Sequence, residues 1–276
     1  MERIKEITAF ETYLIENEKA LATVKKYMRE ISELYCFLAG RALNKLHLLE
    51  YREFLKNQNK ARTVNSKLSA INAYMDFAGC PENRLKFLKV QRQVFIEEEK
   101  KLTEVEYSRL LNAARCKRNE RLYMIMQTIC CTGIRVSELK FITIEAMETG
   151  RAEISLKGKN RIIILQKKLR KKLQEYAQKQ KISKGCIFCT RTGKPVDRSN
   201  IYHEMKKLCT TANVEQSKVF PHNLRRLFAR TFYAVEKNLA NLADILGHSS
   251  VETTRIYIAS SISEYERVMN RMRLII

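Results

Sequence analysis

The apolar residues of this chain return at steps of three and four along most of its length, a spacing that only a helix gathers onto one face. Ile4, Ile7, Phe10 and Leu14 mark a first helix over residues 4–17. Val24, Tyr27, Ile31, Leu34 and Leu38 mark a second, with Thr23 as its expected N-cap and Gly40 as its stop. Leu46 to Leu55 form a shorter third, and a fourth carries Val64, Leu68, Ile71 and Met75 and ends near Gly79 and Pro81. Together these predict a small helical bundle over residues 1–92. The stretch QRQVFIEEEK has no firm period, and Thr103 followed by Glu106 reads as a capping box. A linker is therefore expected over residues 93–100 and a second domain over 101–276.

The second domain is less uniform. Helices are expected over 103–115 and 118–132, after which GIRVSEL turns back into helix at Ser137–Ile142. AEISLKGKNRIIIL, residues 152–165, reads as two strands joined around Lys157, Gly158, Lys159 and Asn160. KKLRKKLQEYAQKQK is a basic helix with Leu169, Leu173 and Tyr176 inward, and CIFCTRTGKPV reads as a further short strand and turn. Asp197 or Ser199 is placed to cap a helix carrying Ile201, Met205 and Leu208, and the chain is helical in pattern from Pro221 onward. The expected fold is mainly α with a small β-hairpin: an N-terminal helical bundle followed by a mixed α/β domain.

Charge narrows the partner. There are 52 Lys plus Arg against 30 Asp plus Glu, an excess of 22. Residues 1–100 hold 18 basic and 14 acidic side chains, residues 101–276 hold 34 and 16, so 18 of the 22 surplus charges lie in the later part. Such a surface calls for a polyanion or an acidic membrane. No apolar run of about 18 residues exists to span a membrane, and MERIKEITAFETYL lacks the apolar core of a signal peptide, so a cytoplasmic protein is expected.

Eight scattered cysteines, most in apolar surroundings, read as free thiols of a reducing compartment. Cys186 and Cys189 form one C-x-x-C, but zinc would need two further ligands, of which Cys209 and His203 are the available ones. Strand-like alternation through CIF argues against that site, and no metal is expected.

Two groups of residues point to phosphate. Lys25 and Lys26 start the second helix, while Arg62, Thr63, Asn65 and Lys67 start the fourth, where amides, hydroxyls and cations suit DNA backbone as well as an ordinary solvated face. In PHNLRRLFAR, Pro221 suits a first helical turn, and His222 and Arg225, three apart, share a face. His248 follows the stop signal Gly247 in LGHSSVETTRIY, and Tyr257 lies nine residues further on. A tyrosine hydroxyl beside a cluster of cations is unusual for a core and well suited to a nucleophile attacking a neutralised phosphoryl group.

These motifs, in this order, resemble the tyrosine recombinase (phage integrase) family over essentially the whole chain. GIRVSEL is similar to the family's first arginine motif, placing Arg135, with Glu138 as the supporting acid. LKGKNR resembles the hairpin of the catalytic lysine, with Lys157 the best position and Lys159 a rival that otherwise binds DNA, since this hairpin is one residue shorter than the common form. HNLRR matches the histidine-x-x-arginine motif at His222 and Arg225, with Arg226 where many members have another histidine; LGHSS places His248 and RIY places Tyr257.

The resemblance implies that Arg135 and Arg225 clamp the scissile phosphate, that His248 adds a hydrogen bond, and that Tyr257 attacks to leave a 3′-phosphotyrosyl link and a 5′-hydroxyl. Lys157 would protonate the leaving oxygen and His222 would accept or orient the tyrosine proton. It implies no nucleotide cofactor, a core-binding role for the N-terminal bundle, a short two-domain type without an arm-site-binding domain, and a Holliday-junction intermediate. The apolar stripe Ile262, Tyr265, Val268, Met269 and Met272, ending in Leu274, Ile275 and Ile276, would dock on a neighbour in a homo-tetramer on two duplexes. Integration or excision of a mobile element is the expected role, with inversion, chromosome-dimer resolution, DNA relaxation by the same chemistry, or non-catalytic regulation as rivals.

Overall fold

The computed structural model describes residues 2–90, 98–156, 159–190, 192–258, 266–267 and 269–272. The fold is mainly α with one small β-hairpin, and the chain divides into two compact units, Met1–Arg92 and Gln93–Ile276. Most of the expected linker lies outside the described residues; Glu98–Lys100 form a short 3-10 turn.

The first unit is built from α1 (Glu2–Glu16), α2 (Leu21–Leu38), α3 (Lys45–Gln58) and α4 (Ala61–Phe77). The stripe Val24, Ile31, Leu34 and Leu38 is buried against Val64, Leu68 and Ile71 of α4, each such side chain contributing about 2 kcal/mol of apolar burial. Thr23 is not the cap of α2. Its amide already donates to the Ala20 carbonyl at 2.7 Å, so helical bonding begins before its hydroxyl could close the end. On α4, Asn65 and Asn72 lie two turns apart and so share a face. Each exchanges a pair of hydrogen bonds with backbone, Asn65 with Leu88 and Asn72 with Leu85, pinning that segment to the helix.

The second unit opens with α5 (Glu104–Cys116), whose Thr103–Glu106 capping box is formed. α6 (Glu120–Thr132), capped by Asn119, ends at Gly133. The arginine motif follows as a 3-10 helix, Val136–Phe141, rather than a full α-turn; α7 (Ile144–Thr149) comes next. β1 (Arg151–Leu156) and β2 (Lys159–Ile164) pair antiparallel, with Leu156 opposite Lys159. α8 (Lys167–Lys179) buries Leu169, Leu173 and Tyr176 as its pattern requires. CIFC is not a strand. Ile187 and Phe188 are both buried, so faces do not alternate, and the segment pairs through isolated bridges, Thr143 with Cys186 and Cys189 with Pro195.

Asp197 caps α9 (Arg198–Lys206), and α10 (Cys209–Ala212) is a single turn. α11 (Pro221–Glu236) runs along α6, and α12 (Leu239–Leu246) and α13 (Val251–Ile258) close over it. Of the apolar tail, Met269 and Met272 are exposed, whereas Ile262, Tyr265, Val268 and the last three residues lie outside the described residues. Among the described residues no helix is long and apolar enough to cross a membrane.

Candidate active site

Two helix C-termini and one arginine form the frame of the site. α6 and α12 both end in left-handed glycines, Gly133 at φ +63° and Gly247 at φ +62°, which leaves carbonyls near each end without helical partners. Arg225, projecting from the second turn of α11, satisfies them: Nη1 donates to the Gly133 carbonyl and Nη2 to the Leu246 carbonyl at 2.6 Å. The chains approach too closely here for any other residue at position 133, where a Cβ would run into the Phe228 ring. Arg225 is 1% exposed, and its Nε is left without a partner. Burial, and then the charge of Arg135, pull its guanidinium down to about 10, so it stays cationic at neutral pH.

Arg135 stands just ahead of the 3-10 helix, half-buried. Nη1 donates to Glu138 Oε1 at 2.9 Å, its backbone amide donates to Glu138 Oε2 at 2.8 Å, and Nη2 reaches the Gly247 carbonyl at 3.3 Å. Burial pushes the Glu138 carboxyl up, but the Arg135 amide and the guanidiniums of Arg161 and Arg135 outweigh it and hold the group below the usual carboxylate range. Arg161 is a member of this cluster that sequence reading did not single out. From β2 it donates to Glu138 Oε2 and, through Nη1, to the Ile245 carbonyl at 3.0 Å. Arg135 and Arg161 thus share one buried carboxylate, and with Arg225 beside them the cluster keeps two positive charges over for an anion.

His248 follows Gly247. Its Nε2 lies 3.0 Å from Arg225 Nη2 and its Nδ1 lies 2.8 Å from Thr254 Oγ1. A guanidinium can only donate, so Nε2 accepts and Nδ1 carries the hydrogen, given to Thr254. Thr254, fully buried on α13, is a second residue that sequence reading passed over. Tyr257, one turn on and 7% exposed, sits with its ring centroid 5.1 Å from that of His248 and 5.2 Å from that of His222, with Arg225 Cζ 5.9 Å away. Burial and the surrounding arginines push both imidazoles down to about 4. His222 still has the accessible surface of an exposed side chain, so for this ring the cations Arg226, Arg225 and Arg135 are the firmer cause. Both rings are neutral at pH 7.

The structure therefore gathers Arg135, His222, Arg225, His248 and Tyr257 in one place. Lys157 lies outside the described residues, and Lys159 opens β2 by its backbone. In the first unit, Lys25, Arg62 and Thr63 are exposed. Lys26 is bound to Ser66, Asn65 is spent on Leu88, and Lys67 is paired with Glu30 and Glu33, its side chain 14% exposed. These three stabilise the bundle in this structure. Cys189 donates to the Cys186 carbonyl at 3.1 Å, and among the described residues no three His, Cys, Asp or Glu side chains are grouped to hold a metal. An open cleft of about 1430 Å³ beside Arg121, Tyr176 and Cys186 lies apart from the arginine cluster.

A helical domain that sets a tyrosine among two histidines and two arginines defines a class built for phosphoryl transfer to a tyrosine hydroxyl. The model of the phage integrase family matches residues 100–264, more than half of the chain. The chain belongs to the phage integrase family and is thereby a tyrosine-type site-specific DNA recombinase. It is 27% identical to tyrosine recombinase XerA of Thermococcus kodakarensis, over 98% of this chain and 95% of that one. It is 26% identical to the TnP I resolvase of Bacillus thuringiensis, covering 90% and 93%. The fold is shared with a lambda integrase tetramer bound to a Holliday junction, at TM-score 0.73 and 15% identity over 92% of this chain and 76% of that one.

Proposed function

We propose that the chain cleaves and rejoins duplex DNA at a specific site, with Tyr257 as nucleophile. The observation that carries this is the Tyr257 ring set between His222 and His248 beside Arg225. The Tyr257 oxygen attacks phosphorus and forms the phosphotyrosyl bond as the bond to the 5′-oxygen breaks. Arg135 and Arg225 neutralise the charge that grows on the nonbridging oxygens. His222, neutral at pH 7, takes the phenol proton, and Lys157 gives a proton to the leaving oxygen. The link conserves the energy of the broken diester, so another 5′-hydroxyl can reverse the step. In the starting arrangement His248 Nε2 accepts from Arg225; to donate to a phosphate oxygen it must leave Arg225 and carry a proton on Nε2, by protonation or a change of tautomer.

On this reading residues 1–92 grip the core of the DNA site, residues 101–276 carry the chemistry, and the protein works in the cytoplasm. The apolar tail docks in trans within a tetramer on two duplexes. Movement of a mobile element is the role put forward; the resolvase relative, similar along its length, favours dimer resolution as the second reading.

The test is covalent capture from a pool of nicked duplexes of randomised sequence, in which loss of the short downstream strand traps the adduct. Wild-type protein should yield a DNA–protein link and, on sequencing, its site. Tyr257→Phe should bind the recovered duplex and form no link; an adduct with that variant would remove Tyr257 from the role.

A further inference from the structure

Arg135 and Arg161 both bind Glu138, but they differ in exposure. The Arg161 side chain is 10% exposed and the Arg135 side chain 40%. Arg161 spends Nη1 on the Ile245 carbonyl and Nη2 on Glu138 Oε2. Its stem lies against Gly247 so closely that a Cβ at that position would collide with Arg161 Cδ. Gly247 in turn offers its carbonyl to Arg135 Nη2 and precedes His248. Arg161 thus touches the carboxylate that orients Arg135 and the turn that places His248.

We infer that Arg161 is a positioning residue for the phosphate clamp: by occupying Glu138 and bracing the Gly247 turn, it keeps the Arg135 guanidinium directed outward. The argument is electrostatic and geometric. Glu138 is 3% exposed and accepts bonds from both arginines, one on each oxygen plus the Arg135 amide. Remove Arg161 and the buried carboxylate loses a full counter-charge. Its remaining partner is Arg135, which is then drawn inward to neutralise it. The surplus at the site falls from two positive charges to one, when a phosphodiester gains negative charge on its way to the transition state. The inference rests on the recombinase reading and extends it to β2.

The experiment compares two duplexes of the captured sequence, one with an ordinary scissile phosphate and one with a methylphosphonate there. The methyl group replaces a nonbridging oxygen, so the neutral diester needs one cation fewer. Arg161→Ala should form adduct on phosphate roughly 100-fold more slowly than wild type, the usual cost of losing one such stabilising group. On methylphosphonate the deficit should shrink to a few-fold. Arg135→Ala, measured alongside, defines how far a lost clamp arm is relieved by the neutral substrate. Arg161→Lys keeps a charge with a single donor centre and should fall between; it carries the same comparison if the alanine variant does not fold. Equal losses on both duplexes, or no loss on either, would overturn the inference. Failure of wild-type protein to link to the phosphate duplex would instead overturn the recombinase reading, and the inference with it.

Discussion

Arg225 donates to Nε2 of His248 across 3.0 Å, and this one bond dictates which nitrogen of the ring carries its hydrogen. Nδ1–H must then find an acceptor, and Thr254 Oγ1 at 2.8 Å is that acceptor. Thr254→Val keeps the shape and removes the oxygen. Adduct formation should fall roughly 10-fold, in line with the loss of a group that orients a functional histidine, while melting stays within a degree or two. Unchanged adduct rates would show that the ring does not need this hydrogen bond.

The two histidines also set a pH window. In the unfolded chain an imidazole titrates near 6.5; in the folded site both are pushed down to about 4. Between those values the unfolded state binds more protons, so stability falls as pH drops from 6.5 toward 4 and is full above 6.5. The acid limb of adduct formation by free protein should accordingly lie near 4. A limb at 6.5 in kcat/KM would mean that His222 titrates as an ordinary surface histidine.

The lysine of the hairpin is separable by chemistry. A sulfur in place of the 5′-bridging oxygen leaves as a thiolate, with a pKa of about 8.5 for a simple thiol, and needs no proton donor. Lys157→Ala should lose on the order of 100-fold or more on the oxygen substrate and recover on the sulfur one, whereas Lys159→Ala should respond alike to both. The opposite pattern would make Lys159 the acid.

In the first unit, Arg62 and Lys67 divide into two kinds of residue. Arg62→Ala should weaken DNA binding and lower the slope of log K against log salt by about 1. Lys67→Ala strips a counter-charge from Glu30, which is 2% exposed, and should lower stability by roughly 2 kcal/mol. Denaturant melts and salt titrations of both variants decide the matter.

That contrast shows where sequence stops being informative. Arg62 and Lys67 are both cations near the start of one helix, and Glu30 and Glu33, brought across by α2, tell them apart. Periodicity carried the helices because it is local: the stripes of α2 and α4 and the capping box of α5 each report on a few turns of chain. CIFC misled because two adjacent apolar residues can both be buried where the backbone is irregular. Within the site, His222, Arg225, His248 and Tyr257 could be picked out by residue type and spacing, and Arg135 by the resemblance of its motif to the family's. Arg161 and Thr254 could not, since an arginine in a strand and a threonine in a helix turn acquire meaning only from Glu138 and His248. An arginine one strand-length into the hairpin and a hydroxyl six residues beyond the histidine were the only available hints.

Arg225 is at once a proposed ligand of the phosphate and the tie between the ends of α6 and α12. A descendant that gave up cutting DNA could discard the Tyr257 hydroxyl at little expense, because a phenylalanine fits the same space. It could not discard Arg225 so easily, since two buried carbonyls and the His248 ring would lose their donor together. An inactive relative of this chain should therefore retain its buried arginine long after its nucleophile has gone, and the arginine alone is poor testimony that the enzyme is alive.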